Sequence, residues 1–172
     1  VDLGNFSGED RRKARRHFQM SSQDPFPARN PRHRAGKLIR EPLDLFDVGT
    51  GKEREERVQT LLHAVGLPPE AAKLFPHQFS GGQRQRLMIA RTLSTRPDII
   101  VCDEPVSALD VAIQAQVLNI LRALQQKLGL TLVFISHDLG VVQNICDNIA
   151  VMSLGQIVEL APAASLFNGP RH

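Results

Sequence analysis

No stretch of this 172-residue chain runs for about 18 uncharged apolar residues, so nothing in it reads as a membrane-spanning helix. The opening residues also lack the basic-then-apolar layout of a signal peptide. Together these absences predict a protein that is soluble, or held at a membrane only through partners. Cysteine is scarce: Cys102 and Cys146 are the only two, both in apolar segments, with no CxxC spacing and no histidine pair nearby. That usage fits a reduced, cytosolic compartment. Internal repeats and low-complexity tracts are absent. Acidic residues are locally short, with ten Lys/Arg against four Asp/Glu in residues 1–40. The basic run Arg11 to Arg16 has almost no interleaved aromatics and follows Glu9-Asp10 directly. It therefore reads as a solvated helix face, and no nucleic-acid partner is expected.

What is present is enough apolar material, 42% of residues, for one globular domain with room for a small appended subdomain. Residues 7–18 read as a helix capped by Ser7, with Glu9 and Asp10 at the favourable end of its dipole. Residues 23–42 carry Pro25, Pro27, Pro31 and Pro42 and predict a loop or short broken helices. Val58, Leu61, Leu62 and Val65 give residues 53–65 a helical period, stopped by Gly66 and Pro68-Pro69. A second helix starts at Ser80, with Leu87, Ala90 and Leu93 on one face, and ends before Pro97. The pattern then changes to short apolar runs, Ile99–Cys102 and Thr131–Ile135, suited to strands of a parallel sheet buried on both faces. Between them Ile113, Val117, Ile120, Leu121, Leu124 and Leu128 mark a helix closed by Gly129. A short helix over 139–145 and two edge strands, 149–152 and 156–160, complete an α/β reading.

Ser80 and Gln83 have the spacing of a capping box, which by itself explains an ordinary helix start. Gly81 and Gly82 between them add another property: bare amides at the positive end of a helix dipole, where an anion can approach. Asp103-Glu104 closes a strand, at the carboxyl end where open α/β sheets bind ligands. An aspartate there can hold magnesium through water, and the neighbouring glutamate can polarise a water attacking a γ-phosphate. Ser107 to Asp110 has the spacing of a cap for the next helix. His137 follows the 131–135 strand without a metal-spaced partner, which favours a hydrogen bond to a phosphate oxygen over metal binding.

FSGGQRQR (79–86), IIVCDEP (99–105), SALD (107–110) and FISHD (134–138), in this order, closely resemble the signature, Walker B, D-loop and H-loop motifs of ATP-binding-cassette ATPases. Gln23-Asp24-Pro25 resembles the Q-loop of the same family. FPHQ (75–78), NPR (30–32), EPL (41–43) and the final GPRH (169–172) resemble the oligopeptide and dipeptide importers, a style shared with nickel and glutathione importers.

The resemblance implies a P-loop NTPase fold, with a parallel core sheet, surrounding helices and a helical signature subdomain. It divides the chain into 1–23 (catalytic core up to the Q-loop), 24–95 (helical subdomain) and 96–172 (remaining core). It implies ATP and Mg2+ as ligands, Glu104 as general base, Asp103 and Gln23 at the magnesium site, and His137 on the γ-phosphate. Ser80, Gly81, Gly82 and Gln83 would contact ATP held by a second ATPase subunit, identical or different, with Asp110 in the dimer seam. A membrane permease would dock on the proline-rich segment, an extracytoplasmic solute-binding protein would be an indirect partner, and the subunit would lie peripherally on the cytoplasmic face. Two other readings stay open: a soluble cassette ATPase without a transport role, and a non-catalytic module completing a partner's ATP site.

The sequence departs from the family pattern in lacking any G-x-x-x-x-G-K-[ST] loop, which supplies the main grip on the β- and γ-phosphates. Gly51-Lys52 does not substitute, because Phe46 and Glu53 occupy the flanking motif positions. The expectation is a truncated chain, whether a fragment, a misplaced gene start or a decayed gene, that alone binds ATP poorly and turns over none. Ser21-Ser22, where an apolar strand end is usual, is expected to weaken the strand that aims Gln23, and Phe79 stands where leucine is commoner.

Overall fold

The computed structural model describes residues 7–21 and 32–168. Gln23, the prolines at 25, 27 and 31, and the final GPRH lie outside the described residues. The chain divides into two compact units, Val1–Ile135 and Ser136–His172.

In the first unit, α1 (Gly8–His17) leads into β1 (Phe18–Ser21), and Ser7 caps the helix by accepting from the Asp10 amide. Three helices follow: α2 (Ala35–Leu45), α3 (Gly51–Ala64) and α4 (Gly81–Thr92). Helix α2 runs through Pro42, where the sequence predicted loop or broken helix. A proline inside a helix costs about 3 kcal/mol, yet Leu38, Ile39 and Leu43 on the same helix are at most 2% exposed. Each such burial is worth roughly 1.5–3 kcal/mol, so packing outweighs the propensity. Helix α3 also starts earlier than its apolar period indicates. Thr50 and Glu53 form a reciprocal capping box there, which makes the Gly51-Lys52 pair an ordinary helix start.

The core of this helical part is Leu38, Ile39, Val58, Leu62, Leu87 and Met88, all essentially inaccessible. Arg91 of α4 pairs with Glu41 of α2 at 2.9 Å. Arg54 binds Asp44 and Asp47 at 2.8 and 2.6 Å. Burial alone would raise the Asp44 carboxyl, but hydrogen bonds from Arg54 and Arg40 outweigh it and hold the group below the ordinary aspartate value.

Strand β2 (Ile99–Asp103) is central in a parallel sheet of order β1-β2-β3, with β3 spanning Thr131–Ile135. The register pairs Phe18 with Ile99 and Asp103 with Ile135. The sheet is buried on one face rather than two. Ser21, Ile100 and Cys102 are inside, whereas Phe18, Met20, Val133 and Ile135 are exposed on the opposite face, the alternation that a period of two requires. Strand β1 does reach Ser21, at the cost of a buried hydroxyl without a partner. Between β2 and β3 runs α5 (Val111–Leu128), ended by Gly129 at φ 65° as its left-handed cap.

The second unit holds α6 (Leu139–Ile145), the antiparallel pair β4 (Asn148–Ser153) and β5 (Gln156–Pro162), and α7 (Ala163–Asn168). Leu154 and Gly155, both at positive φ, make the two-residue turn whose twist suits a hairpin. Val142, Ile149 and Leu166 form its small core, with Cys146, Val151 and Phe167 against it.

Candidate nucleotide site

Helix α4 begins with the box its sequence predicts. The Gln83 amide donates to Ser80 Oγ at 3.3 Å, and the Ser80 amide donates to Gln83 Oε1 at 2.9 Å. That exchange uses the first and last amides of the turn and leaves those of Gly81 and Gly82, which no helix can satisfy internally. Phe79, just ahead, is 5% exposed and anchors the segment in the core.

The glycines have a second role that the sequence did not show. A Cβ on Gly82 would stand 2.3 Å from Ile113 Cγ2, and one on Gly81 would stand 3.2 Å from Leu109 Cδ2. The start of α4 is thus packed directly against the turn carrying Asp110 and the first turn of α5. The only advance signal was Ile113's place in the apolar stripe of α5, which gives no partner.

Asp103 ends β2 on the open face of the sheet, half-buried, opposite Ile135. Glu104 then takes φ 46°, a left-handed conformation that costs a non-glycine residue energy and recurs at functional sites. Its amide still donates to the Ile135 carbonyl at 2.9 Å, so the ladder is extended while the chain turns off the sheet. Ser107 Oγ donates to the Glu104 carbonyl at 3.1 Å, and Gln114 Nε2 donates to the carbonyls of Val106 and Leu109, each at 3.1 Å. Asp110 accepts from the Ile113 amide at 3.0 Å, the capping role its spacing predicts. The connection from Asp103-Glu104 to Asp110 is thereby pinned at both ends.

In the second unit, His137 is exposed, between Ser136, which accepts from the Asp138 amide at 3.1 Å, and Asp138, which caps α6 through the Val141 amide at 3.2 Å. Gln23 falls outside the described residues. The structure therefore brings together the Ser80–Gln83 helix start and the Asp110 turn, and connects that turn to Asp103-Glu104.

Solved ATP-binding cassettes share the fold of this chain. The dimeric cassette MJ0796 in a post-hydrolysis state bound to ADP and Pi is 27% identical. It matches with TM-score 0.79 over 95% of this chain and 70% of that one. CbiO1 of Clostridium perfringens, part of the ABC transporter complex cbiONQ, shares the fold with TM-score 0.83 over 95% of this chain and 64% of its own, at 24% identity.

The family model described as ABC transporter matches residues 2–107, and the chain belongs to that family. Among curated relatives, a putative peptide import ATP-binding protein of Brucella ovis is 51% identical over 100% of this chain and 54% of its own length. The oligopeptide transport ATP-binding protein AppF of Bacillus subtilis is 49% identical over 99% of this chain and 52% of its own. The chain thus spans about half the length of the curated relatives it matches.

Proposed function

We propose that the chain is part of the ATP-hydrolysing subunit of an importer for peptides or a related solute, working as a dimer of cassettes beneath a membrane permease on the cytoplasmic face. The observation that carries this reading is the pair of unused amides, Gly81 and Gly82, at the head of a boxed helix and packed on the turn that leaves Asp103-Glu104. The names of the relatives, peptide import and oligopeptide transport ATP-binding proteins, support the solute class. No helix among the described residues is long and apolar enough to cross a membrane, in keeping with a peripheral position.

In this reading Ser80, Gly81, Gly82 and Gln83 bind the γ-phosphate of ATP held by the opposite cassette, through amides and a hydroxyl at the positive end of α4. Glu104 accepts the proton of the attacking water, Asp110 lies in the seam between cassettes, and His137 donates a hydrogen bond to the γ-phosphate. Among the described residues no group of three or more His, Cys, Asp or Glu is placed to hold a metal. Magnesium bound with ATP needs only one or two carboxylates, the rest of its shell being water and phosphate oxygens. Asp103, half-buried at the strand end, fits that role, with Gln23 its companion by resemblance alone, and the ion would neutralise phosphate charge.

The 172 residues contain no glycine-rich P-loop, so they supply the signature half of a site and, alone, turn over no ATP. Calorimetric titration of the chain with MgATP tests this. The expected result is no binding in the micromolar range, and micromolar binding would overturn it.

A further inference from the structure

The far end of α4 carries a second, unassigned cluster. A cavity of about 420 Å³ lies there, with Arg16 of α1, Arg57 of α3, and Ser94 and Arg96 just beyond α4 in its wall, together with Glu53, Arg54 and Glu56 of α3. It lies one helix length from Ser80, about 18 Å for twelve residues, and so is separate from the nucleotide site.

We propose that this cavity binds a phosphate group, held by the guanidinium groups of Arg57, Arg96 and Arg16 and by the Ser94 hydroxyl. The first reason is uncompensated charge. Within the same wall Arg54 is neutralised by Asp44 and Asp47, Glu56 lies 3.9 Å from the Lys52 ammonium, and Glu53 accepts from the Thr50 amide, which leaves three arginines against these two carboxylates. Arg16, Arg57 and Arg96 have no carboxylate at ion-pair distance among the described residues. Arg57 is the most committed of the three. It donates to the carbonyls of Leu93 at 2.9 Å and Ser94 at 3.4 Å, closing the end of α4, and keeps its remaining N–H groups. Burial and the charge of Arg96 both disfavour its protonated form, a conflict that a bound anion removes.

The second reason is an unmet donor. Ser94 is 1% exposed and its Oγ has no partner, although a buried hydroxyl ordinarily finds one. The third is backbone conformation: Arg96 is held at φ 55°, which an arginine adopts only at a cost. Forked guanidinium donors beside a hydroxyl match the tetrahedral oxygens of phosphate.

The phosphate could be free or the headgroup of a lipid, and two probes separate these sources. The chain is titrated with inorganic phosphate by calorimetry, and its flotation is measured with phosphatidylcholine vesicles with and without phosphatidylglycerol. Arg96→Gln, at an exposed position, should weaken binding about tenfold with an unchanged melting temperature. Arg57→Lys, which keeps charge but loses the fork, should weaken it similarly. Lys13→Gln, on exposed α1, should have no effect. Saturable phosphate binding with this pattern establishes the site for the free anion. Vesicle binding with the same pattern, and no response to free phosphate, establishes it for the headgroup. Absence of binding to both probes, or binding indifferent to Arg96→Gln, would overturn the proposal.

Discussion

The helical part and the parallel sheet of the first unit hold the two halves of the candidate chemistry on very different foundations. Helices α2, α3 and α4 close on a core in which Leu38, Ile39, Val58, Leu62 and Leu87 are at most 1% exposed. The sheet buries Ile100 and Cys102 on one face but leaves Met20 at 53%, Val133 at 46% and Ile135 at 48% exposure on the other. Ser80 therefore starts a helix fixed by its own packing, whereas Asp103 projects from the open face of the sheet. The Ser80 end is self-supporting; the carboxylate end depends on hydrogen bonds in the turn that follows it.

Substitutions can break or sharpen this contrast. Leu62→Ala removes a fully buried side chain and should cost about 2–5 kcal/mol in urea unfolding; a cost no greater than that of a surface change would erase the distinction. Gly82→Ala forces a methyl to within 2.3 Å of Ile113 Cγ2 and should cost about 1–3 kcal/mol. Adding Ile113→Ala should recover most of that loss, a coupling that a double-mutant cycle measures. Asp44→Asn tests the ion pairs that brace the helices. A carboxyl depressed on folding contributes stability that is complete above its unfolded-chain pKa and is lost as pH falls through the lower folded value. The variant should therefore be less stable near neutral pH and lose less on acidification than the parent, and parallel acid profiles would refute the assignment. Val133→Ala, on the open face, should change stability by less than about 0.5 kcal/mol.

Much of this was legible in the residues. The Ser80–Gln83 box, the Asp103-Glu104 strand end, the Gly129 cap and the turn at Gly155 all follow from local chemistry, and each forms as its spacing predicts. Helix α2 was hidden because Pro42 argues locally against a helix, and only the burial of Leu38, Ile39 and Leu43 reverses that. The one-sided burial of the sheet was missed because continuous apolar runs such as Ile99–Cys102 look alike whether one face or two is covered. The contact of Gly82 with Ile113 and the arginines around Ser94 join segments distant in sequence, and no periodicity announces which ones meet.

The central claim is that the Ser80-headed helix acts on ATP held by a partner cassette. Its most direct test mixes this chain with an intact peptide-import cassette whose own signature serine has been replaced by alanine, and measures phosphate release from MgATP. The account predicts that the chain raises turnover about tenfold and that its Ser80→Ala variant does not. Equal turnover with the two chains, or none above the partner alone, would contradict it.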